Sequence, residues 1–570
     1  MIVLGIHDGT HDAGAALVVD GRLVAAANEE RFTRRKGQGG WPARSLAACL
    51  DAAPGPIDRV AFAGVVNPNP VLRAVRPLQD RFHLDDGAFW QDVPTLTGRA
   101  SEWLQFESPF PRLRGDGAGG RALAAAVRPL LARKARAAGL EAPVEVIDHH
   151  EAHAASAWFT AGADTGAVIV ADGIGDGLSL TTWEGAGSML RRRLAWPYPH
   201  AHGLFYACLT GFLGFRPFRH EGKLVGLAAH GDPDAIPLPW PFEGPADARR
   251  FTVGFGPPLR TWLAPLRDCP REDVCAWLQR GLTQDLLALA RHEVAAVGGD
   301  VLALAGGVFA NVRLNQDLAE RSGAPRLHVF PHMGDGGLAA GAALSVAHRG
   351  GGLPRERLPH VFLGPSPDDV GRVLDGVGAP FHVEHPASPG ALTRRVAALL
   401  AAGKVVAVCR GRMEYGPRAL GHRSILAPAN DSEVTTRLNA ALDRSDFMPF
   451  APAILNEGHE DWIDLPASAR HAATFMTVTA HARPRMRAAL PAAVHVDGTL
   501  RPQIVEAGTQ PFLHAVLTDY HTLIGLPAVL NTSFNLHEEP IVESAAQALA
   551  TFERARLDAL VLGDALVVRT

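Results

Sequence analysis

The fold class is decided by the run Val168-Ile-Val-Ala-Asp-Gly-Ile-Gly-Asp-Gly-Leu-Ser-Leu-Thr-Thr-Trp183. A short apolar strand ends at an acidic, glycine-rich turn, and a second strand follows at once. The N-terminus repeats this order, with Ile2 to Ile6, then Asp8-Gly-Thr-His-Asp12, then Ala13 to Val19. We therefore predict an α/β domain that is built from two related strand–turn–strand units.

A third glycine turn, Gly306-Gly-Val-Phe-Ala-Asn311, follows another short apolar strand and leads into a helical pattern. Glycine turns of this kind let main-chain N–H groups approach phosphate oxygens. The order of the turns is that of the phosphate and adenosine loops in actin, the sugar kinases and Hsp70. We predict nucleotide contacts from the glycines and the asparagine of these turns, which are Gly173, Gly175, Gly306, Gly307 and Asn311.

Two histidines in the run Asp148-His-His-Glu-Ala-His153 have the spacing that directs two imidazoles at one metal ion from a helix. Asp172 and Asp335, each in a glycine-rich turn, are the predicted remaining ligands of His149 and His153. A set of two histidines and two carboxylates suits Fe(II), Zn²⁺ or Mn²⁺. The alternative is that both histidines are ordinary residues of a helix surface or core.

Composition narrows the class of protein. The chain has 570 residues, 47% hydrophobic content and a net charge of −4, so we expect several globular domains and no nucleic-acid partner. Five cysteines without a Cys-x-x-Cys pair argue against a disulfide framework, and we expect a cytoplasmic protein. No uncharged apolar run is long enough for a membrane helix, so no membrane association is expected.

Glycine and proline density sets the predicted domain limits. The chain is rich in both between Gly350 and Gly390, which predicts a domain at 1–352, a linker at 353–389 and a second domain at 390–570. Residues 76–120 are irregular and aromatic, and are predicted to be an insertion. Aromatic residues there and in 233–269 are the predicted acceptor surface: Trp90, Trp103, Trp240, Phe242 and Trp262.

Beyond the turns and the histidine pair, several longer segments are distinctive. Together with those features they resemble the O-carbamoyltransferases of antibiotic and nodulation-factor biosynthesis, nearly end to end. The segments are His11-Asp-Ala-Gly-Ala-Ala-Leu-Val-Val-Asp-Gly21, Glu29-Glu-Arg-Phe-Thr-Arg-Arg-Lys36, Glu221-Gly-Lys-Leu-Val-Gly-Leu-Ala-Ala-His-Gly231, Glu414-Tyr-Gly-Pro-Arg-Ala-Leu-Gly-His-Arg-Ser424, His495-Val-Asp-Gly-Thr-Leu-Arg-Pro-Gln503 and Leu530-Asn-Thr-Ser-Phe-Asn535.

This resemblance implies an actin/sugar-kinase-like (ASKHA) first domain and a second α/β domain similar to threonylcarbamoyl-AMP synthases. It implies that ATP and carbamoyl phosphate give carbamoyl-AMP in the second domain. The metal-containing first domain would then transfer the carbamoyl group to a hydroxyl, or less often an amine, of a small natural product. The implied cofactors are ATP, with Mg²⁺ as its companion ion, and Fe(II), with Zn or Mn as alternatives. A homodimer is a further expectation.

The resemblance also implies anion-binding residues in the second domain. Guanidinium forks match carboxylate and phosphate oxygens, so Arg418 and Arg423 are predicted catalytic residues, and Arg501 and Ser533 are predicted to bind the substrates. One of the arginines could instead pair with Glu414 or Asp497. Asn531 and Asn535 either read adenine or the carbamoyl amide, or cap turns.

One segment departs from the family pattern. Family members commonly carry Lys, then Arg-Glu, then Arg-Pro-Phe-Ala-Pro, whereas this chain reads Leu442-Asp-Arg-Ser-Asp-Phe-Met-Pro-Phe-Ala-Pro452. Arg444 is the remaining cation, and it is predicted to carry the anion contact. Leu442 and Met448 leave the affinity for carbamoyl phosphate open.

Proton transfer from the acceptor hydroxyl requires a base near the metal. His11 and Asp12, in the first glycine turn, are the predicted catalytic pair, with His7 or Asp8 as the alternative. Lys223 could hold a nucleotide phosphate, or it could be a surface lysine.

Three other classes share parts of these features. A tRNA threonylcarbamoyl transferase fits poorly with the neutral-to-acidic charge, and a sugar kinase does not explain the histidine pair. A catalytically altered ATP-binding scaffold would explain Leu442 and Met448. No motif identifies the acceptor, for which we expect a neutral or modestly polar alcohol.

Overall fold

A computed structural model of the protein describes residues 1–66, 112–351, 356–443 and 450–570. The chain forms two units, of which unit 1 contains Met1–Glu29 and Gly37–Leu358, and unit 2 contains Glu30–Lys36 and Pro359–Thr570. The predicted insertion lies outside the described residues over 76–111, as do Trp90, Trp103, Arg444 and Met448. The short segment 30–36 therefore belongs to a unit that is otherwise built from the C-terminal third of the chain.

The first sheet of unit 1 has the order β3-β2-β1-β4-β5. Its first three strands are antiparallel neighbours, and β4 and β5 then add in parallel. Asp20 and Gly21, both with positive φ, form the tight turn between β2 and β3. The strands are β1 Ile2–His7, β2 Gly14–Val19, β3 Arg22–Asn28, β4 Arg59–Ala63 and β5 Val144–Ile147.

The second sheet of unit 1 repeats this arrangement. Its order is β12-β11-β6-β7-β8, so β6, β7 and β8 are antiparallel neighbours and β11 and β12 add in parallel beside β6. The strands are β6 Thr165–Gly175, β7 Leu178–Ala186, β8 Met189–Pro197, β11 Val301–Ala305 and β12 Leu327–Val329, with a separate hairpin of β9 Phe242–Glu243 and β10 Arg250–Phe251. The duplicated α/β architecture predicted for an actin/sugar-kinase-like domain is confirmed.

Helices of unit 1 cover these sheets. They are α1 Glu29–Thr33, whose residues 30–33 belong to unit 2, α2 Ala43–Asp51, α3 Ala118–Ala137, α4 His149–Trp158, α5 His202–Phe212, α6 Glu221–Leu227, α7 Pro257–Leu263, α8 Arg271–Val297, α9 Val312–Arg321 and α10 Leu338–His348. The whole of α10 is buried, and it packs against α4 and β1. A Cβ at Gly341 of α10 would overlap the main chain of Ala152 on α4, so glycine permits the close approach that sets the two helices beside each other.

Unit 2 is built on a mixed sheet with the order β13-β23-β22-β14-β15-β21-β16-β20. A smaller antiparallel sheet, β17-β18-β19, belongs to the same unit. The strands are β13 Phe381–Glu384, β14 Val406–Cys409, β15 Arg423–Pro428, β16 Ala451–Leu455, β17 Ile463–Asp464, β18 Ala480–Ala482, β19 Thr499–Leu500, β20 Gln503–Val505, β21 Ala528–Ser533, β22 Ala559–Leu562 and β23 Ala565–Arg569. The helices that follow α10 are α11 Val370–Asp375, α12 Pro389–Ala401, α13 Glu433–Ala441, α14 Arg470–Ala473, α15 Pro484–Ala489, α16 Pro511–Ile524 and α17 Ala545–Arg554.

The predicted linker at 353–389 is structured in its second part. Residues 359–389 belong to unit 2, where they form α11 and β13. Strand β13 pairs antiparallel with β23, with Phe381 opposite Arg569. Local composition could not indicate this pairing, because the partner strand lies at the far end of the chain.

Among the described residues, no helix is both long enough and apolar enough to cross a membrane.

Candidate active site

Four predicted metal ligands of unit 1 lie together. His149, His153, Asp172 and Asp335 each offer one atom, and these atoms all lie within 4.8 Å of one another. His149 Nε2 is 3.0 Å from Asp172 Oδ2 and 3.6 Å from Asp335 Oδ1. His153 Nε2 is 3.5 Å from Asp335 Oδ1. Both histidines are 1% exposed, so the donor atoms face an enclosed point and not bulk solvent.

The start of α4 places the two histidines. Asp148 is the N-cap, and its side chain accepts the Glu151 N–H at 3.0 Å. The buried Asp176 accepts the main-chain N–H of His149 at 2.8 Å and the N–H groups of Val65 and Val66. This single carboxylate thereby joins β6, the chain after β4 and the first turn of α4.

The two ligand aspartates are held by the glycine turns that carry them. Asp172 uses Oδ1 to accept the Gly307 N–H at 3.0 Å, which leaves Oδ2 for His149. Gly306 donates its N–H to the Met333 carbonyl at 2.7 Å, and this bond joins the third glycine turn to the loop of Asp335. The turns support each other's ligands, which is the role of outer partners around metal sites.

Buried charge dominates the electrostatics of the cluster. Burial lowers the pKa of His149, but Asp335 and Asp172 outweigh it and raise that pKa to about 10. Burial raises the pKa of Asp172, while the hydrogen bond from His149 and the charge of His153 bring it well below its usual range. The two carboxylates therefore favour positive charge at the centre of the cluster.

A divalent cation fits this donor set. His153 Nε2 is buried and has no hydrogen-bond partner among the described residues, as expected of a nitrogen that is directed at an ion. Two imidazole nitrogens and two carboxylate oxygens suit Fe(II), Zn²⁺ and Mn²⁺. His149, His153, Asp172 and Asp335 are thus the residues that would hold it.

The predicted catalytic pair lies beside the cluster. His11 Nδ1 is 3.0 Å from Asp12 Oδ2, and His11 Nε2 is 3.5 Å from Asp335 Oδ2. Burial lowers the pKa of His11, but the hydrogen bond with Asp12 and the charge of Asp335 raise it to about 9. Asp12 orients the ring, and Nε2 is the atom on the side of the metal ligands.

His7 and Asp8, the alternative pair, are almost completely buried. Burial lowers the pKa of His7 to about 4, although Asp335 opposes the shift. Asp8 Oδ2 lies 3.6 Å from Lys134 Nζ on α3. His11 and Asp12 are more exposed, so an acceptor would reach them first.

Two glycines that are predicted to contact a nucleotide, Gly175 and Gly307, also contact the predicted metal ligands. A Cβ at Gly175 would overlap the ring of His149, and the Gly307 N–H is bound to Asp172. Gly306 has φ +102, a value that favours glycine. A Cβ at Gly173 would meet only ordinary contact with Phe218, so Gly173 leaves room where Gly175 does not.

Asn311, which is predicted to contact a nucleotide, makes hydrogen bonds within unit 1. Its side chain caps α9 by accepting the Leu314 N–H at 3.0 Å, and its amide donates to Gln279 at 2.7 Å. The amide that was predicted to contact a nucleotide is therefore used to start a helix. Lys223 lies on α6, with Nζ 5.9 Å from the centre of the Phe215 ring.

Of the aromatic residues of 233–269 that are predicted to form an acceptor surface, Phe242 is buried and Trp240 and Trp262 are partly buried. Phe242 is 3% exposed and stacks on His202 with 3.7 Å between ring centres. Trp240 donates its indole N–H to Asp285 at 2.7 Å. These rings pack against Phe205 of α5 and Trp277 of α8, because large aromatic side chains are stabilised by burial.

In unit 2, Arg418 lies in the loop between β14 and β15. Burial alone lowers the pKa of its guanidinium to about 10, and no carboxylate partner is present among the described residues. Its Nε is buried without a hydrogen-bond partner in the same part of the chain. Gly416 and Gly421, with φ +135 and +117, give this loop its sharp bends.

Main-chain carbonyl groups occupy most of the guanidinium of Arg423, the other predicted catalytic arginine. Nε donates to Glu543 O at 3.1 Å, and Nη1 donates to the carbonyl oxygens of Arg410, Gly411 and His422. Arg423 thus closes the loop on itself, and only Nη2 is left without a partner among the described residues.

Glu414 pairs with neither arginine through a short ion pair. Its Oε1 accepts the N–H groups of Leu420, His422 and Arg423 at 2.8, 2.8 and 3.1 Å. The expected alternative of an Arg–Glu414 salt bridge is therefore replaced by a carboxylate that organises main chain. Asp497 instead lies 3.4 Å from His495 Nδ1.

The two asparagines of the last motif have different environments. Asn531 donates to Gln503 Oε1 at 2.6 Å, and its buried Oδ1 has no partner among the described residues. Asn535 donates to Leu536 O and Glu539 O at 2.7 and 3.0 Å, which is the turn-capping alternative, and its Oδ1 is likewise buried without a partner among the described residues. Each asparagine therefore keeps one oxygen that can accept a hydrogen bond from an amide.

The structure also gives the positions of three further residues that the sequence analysis discussed in unit 2. Ser533 ends β21 opposite Ser424, and Arg501 lies between β19 and β20. Leu442 is completely buried at the end of α13, where an apolar residue fits its surroundings. Arg444 lies outside the described residues.

Sequence reasoning missed the residues that hold the ligands. Asp176 and Glu414 stand inside quoted motifs, but their function depends on N–H groups from distant segments. Asn28 is a third case, since it donates to Asp12 O and Gly336 O at 3.3 Å and lies 2.7 Å from His332. The sequence signal that could have indicated them is a polar residue placed next to a glycine turn.

Comparison with known families gives two matches along the chain. The family model described as "Carbamoyltransferase N-terminus" matches residues 123–238 and 261–344, all within unit 1. The model described as "Carbamoyltransferase C-terminus" matches residues 397–569, within unit 2.

Individual proteins agree with these matches. Nodulation protein NolNO of Sinorhizobium fredii is 32% identical over 98% of this chain and 79% of its own length. Nodulation protein NolO of Bradyrhizobium diazoefficiens is 36% identical over 74% of this chain and 78% of its own. Among solved structures, HypF of T. kodakarensis superposes with a TM-score of 0.37 at 12% identity, over 61% of this chain and 47% of that one.

Proposed function

The chain belongs to the carbamoyltransferase family, and from this premise we propose that it is an ATP-dependent enzyme that carbamoylates a small natural product. The family relationship makes it a transferase with a carbamoyl donor and an acceptor. The proposal adds ATP, carbamoyl-AMP and a division of chemistry between the two units. It is carried by the cluster of His149, His153, Asp172 and Asp335 with His11 beside it.

In unit 2, carbamoyl phosphate and water give carbamate and phosphate. A carbamate oxygen then attacks the α-phosphorus of ATP, the bond to the β-phosphate bridge breaks, and pyrophosphate leaves with carbamoyl-AMP as the product. Arg418 supports this assignment, because its buried guanidinium has no carboxylate to neutralise it among the described residues. Its charge would stabilise the phosphoryl oxygens during attack.

In unit 1, the acceptor hydroxyl attacks the carbamoyl carbon, and AMP leaves as the carbamate ester forms. A metal ion held by the four ligands would supply a Lewis acid. A metal ion at the four ligands would offset the charge of Asp335 that keeps His11 protonated, and the neutral ring would then take the hydroxyl proton at Nε2 while Asp12 fixes it through Nδ1 at 3.0 Å. Asp335 positions His11 from the other side at 3.5 Å.

Two variants of the full chain separate the half-reactions. Arg418→Met should abolish pyrophosphate release from ATP and carbamoyl phosphate, because the donor site loses its guanidinium. His153→Ala should spare pyrophosphate release, lose bound metal and block the appearance of carbamoylated alcohol. Radiometric pyrophosphate release, metal analysis and product mass measure the three quantities.

Matched controls are Arg410→Met, which removes an arginine that lies 2.9 Å from Asp564, and His292→Ala, an exposed histidine of α8. Both should leave pyrophosphate release and metal content unchanged. Loss of pyrophosphate release in His153→Ala with retention in Arg418→Met would reverse the division of chemistry. A wild-type protein that releases no pyrophosphate with both substrates would favour an ATP-binding scaffold.

The acceptor is proposed to be a neutral or modestly polar alcohol. A panel of macrolide, nucleoside, cephem and aminoglycoside alcohols, analysed for a mass increase of one carbamoyl group, tests this part alone. Preference for the polycationic aminoglycosides would contradict it.

A further inference from the structure

Arg31, in the segment 30–36 of unit 2, lies on the loop that carries Arg418. It is 4% exposed, and its Nη2 donates to the Gly416 carbonyl at 2.6 Å. Its Nε is 3.8 Å from Glu30 Oε1. Because Gly416 is two residues from Arg418 along the chain, Arg31 contacts the loop that carries Arg418.

The second terminal nitrogen of Arg31 has no acceptor. Nη1 is buried and lacks a hydrogen-bond partner among the described residues, and the same holds for Arg418 Nε and Arg423 Nη2. A buried N–H without an acceptor is costly, and native proteins pair nearly all such groups. Three unsatisfied guanidinium nitrogens around one loop indicate an acceptor that arrives with a ligand.

The chemistry of the unpaired donors points to an anion. Burial lowers the pKa of Arg31, Glu30 and Glu414 raise it, and Arg423 lowers it again through repulsion. Glu414 already uses Oε1 to accept three main-chain N–H groups. Arg31 Nη1 and Arg423 Nη2 are left without an acceptor among the described residues, and guanidinium forks match phosphate oxygens.

We propose that Arg31 binds a phosphate group of the carbamoyl donor or of the nucleotide, and that segment 30–36 thereby completes the site in unit 2. The inference rests on the proposed function, because that function assigns phosphate substrates to unit 2. Arg31 is a binding residue here, and its Nη2 bond to Gly416 fixes the direction of Nη1.

The test is equilibrium binding to the full chain by isothermal calorimetry, without turnover. One arm uses carbamoyl phosphate alone, and the other uses α,β-methylene-ATP alone. Arg31→Met should weaken one or both ligands by about 10- to 100-fold, as expected for the loss of a hydrogen bond between charged groups. Weakening in the first arm only assigns the donor phosphate, and weakening in the second only assigns the nucleotide.

Arg34→Met is the matched control, since Arg34 already contacts Ile541 O at 2.8 Å and Glu539 at 3.5 Å. It should bind both ligands as the wild type does. Arg31→Lys, which keeps the charge and loses the fork, should show a smaller loss than Arg31→Met. Unchanged affinity of folded Arg31→Met in both arms would overturn the inference.

A measurement on the wild type covers the case in which Arg31→Met fails to fold. Crystals of the full chain soaked in tungstate, a heavy phosphate analogue, should show the anion within hydrogen-bond distance of Arg31 Nη1. Tungstate bound at Arg418 but away from Arg31, or at neither residue, overturns the inference. Binding in both arms without pyrophosphate release would refute the proposed function and leave the Arg31 site standing.

Discussion

The candidate metal site of unit 1 and the loop between β14 and β15 that carries Arg418 in unit 2 differ in charge, but the same arrangement organises both. In each, one buried carboxylate gathers N–H groups from the main chain. Asp176 binds Val65, Val66 and His149, and Glu414 binds Leu420, His422 and Arg423. Neither carboxylate is among the predicted metal ligands or anion-binding residues, but each fixes the main chain beside them.

The two carboxylates differ in how many oxygens they use. Asp176 accepts through both, with Val66 on Oδ1 at 2.6 Å and His149 on Oδ2 at 2.8 Å. Glu414 accepts all three N–H groups through Oε1, and Oε2 has no partner among the described residues. If Asn replaces Asp176, its NH₂ group must therefore face a main-chain N–H group. If Gln replaces Glu414, its NH₂ group can take the place of the unused Oε2.

Asp176→Asn is predicted to have the largest effect. One side-chain oxygen becomes an NH₂ that faces a main-chain N–H, and each buried N–H without an acceptor costs about 1–3 kcal/mol. We expect a loss of about 3 kcal/mol in the free energy of unfolding, measured by urea denaturation, together with weaker metal binding. Asp268→Asn, at an exposed position, is the control. A loss no greater than that of Asp268→Asn would show that Asp176 does not organise the start of α4.

Glu414→Gln is predicted to be milder, because Gln can keep Oε1 on the three N–H groups and place its NH₂ at the Oε2 position. A neutral acceptor forms bonds about half as strong as a charged one, so we expect about 1–2 kcal/mol. Urea denaturation measures this, and metal content should stay at the wild-type level. Glu433→Gln is the exposed control. If Glu414→Gln loses as much free energy of unfolding as Asp176→Asn, the number of carboxylate oxygens that accept hydrogen bonds does not explain the difference between the two sites.

The most local effect is expected from a single methyl group beside the predicted metal ligands. Gly175→Ala places its Cβ against the His149 ring, and overpacking of a filled site costs about 1–3 kcal/mol. We expect about tenfold weaker Zn²⁺ binding, measured by competition with a chelator. Gly173→Ala, which meets only ordinary contact, should bind Zn²⁺ as the wild type does. Equal weakening in both variants would mean that the glycine turn as a whole, and not the His149 contact, sets metal affinity.

The sequence by itself determined the repeated strand and turn pattern of unit 1, and it predicted four candidate metal ligands that the structure places close together. Strand period, Asp-Gly turns and the four-residue spacing of His149 and His153 are local properties. They suffice to predict an α/β fold and a metal cluster that the structure then brings together. The motifs quoted from the chain were also enough to identify its family.

Only the tertiary structure decided which polar side chains face a ligand and which hold the main chain. Arg423 and Arg418 are equivalent in sequence, yet main-chain carbonyl groups occupy most of one guanidinium and leave the other unneutralised. Arg31 joins unit 2 although it lies more than 300 residues from the rest of that unit. The physical reason is that hydrogen-bond partners and burial depend on contacts between distant segments, which a local pattern does not encode.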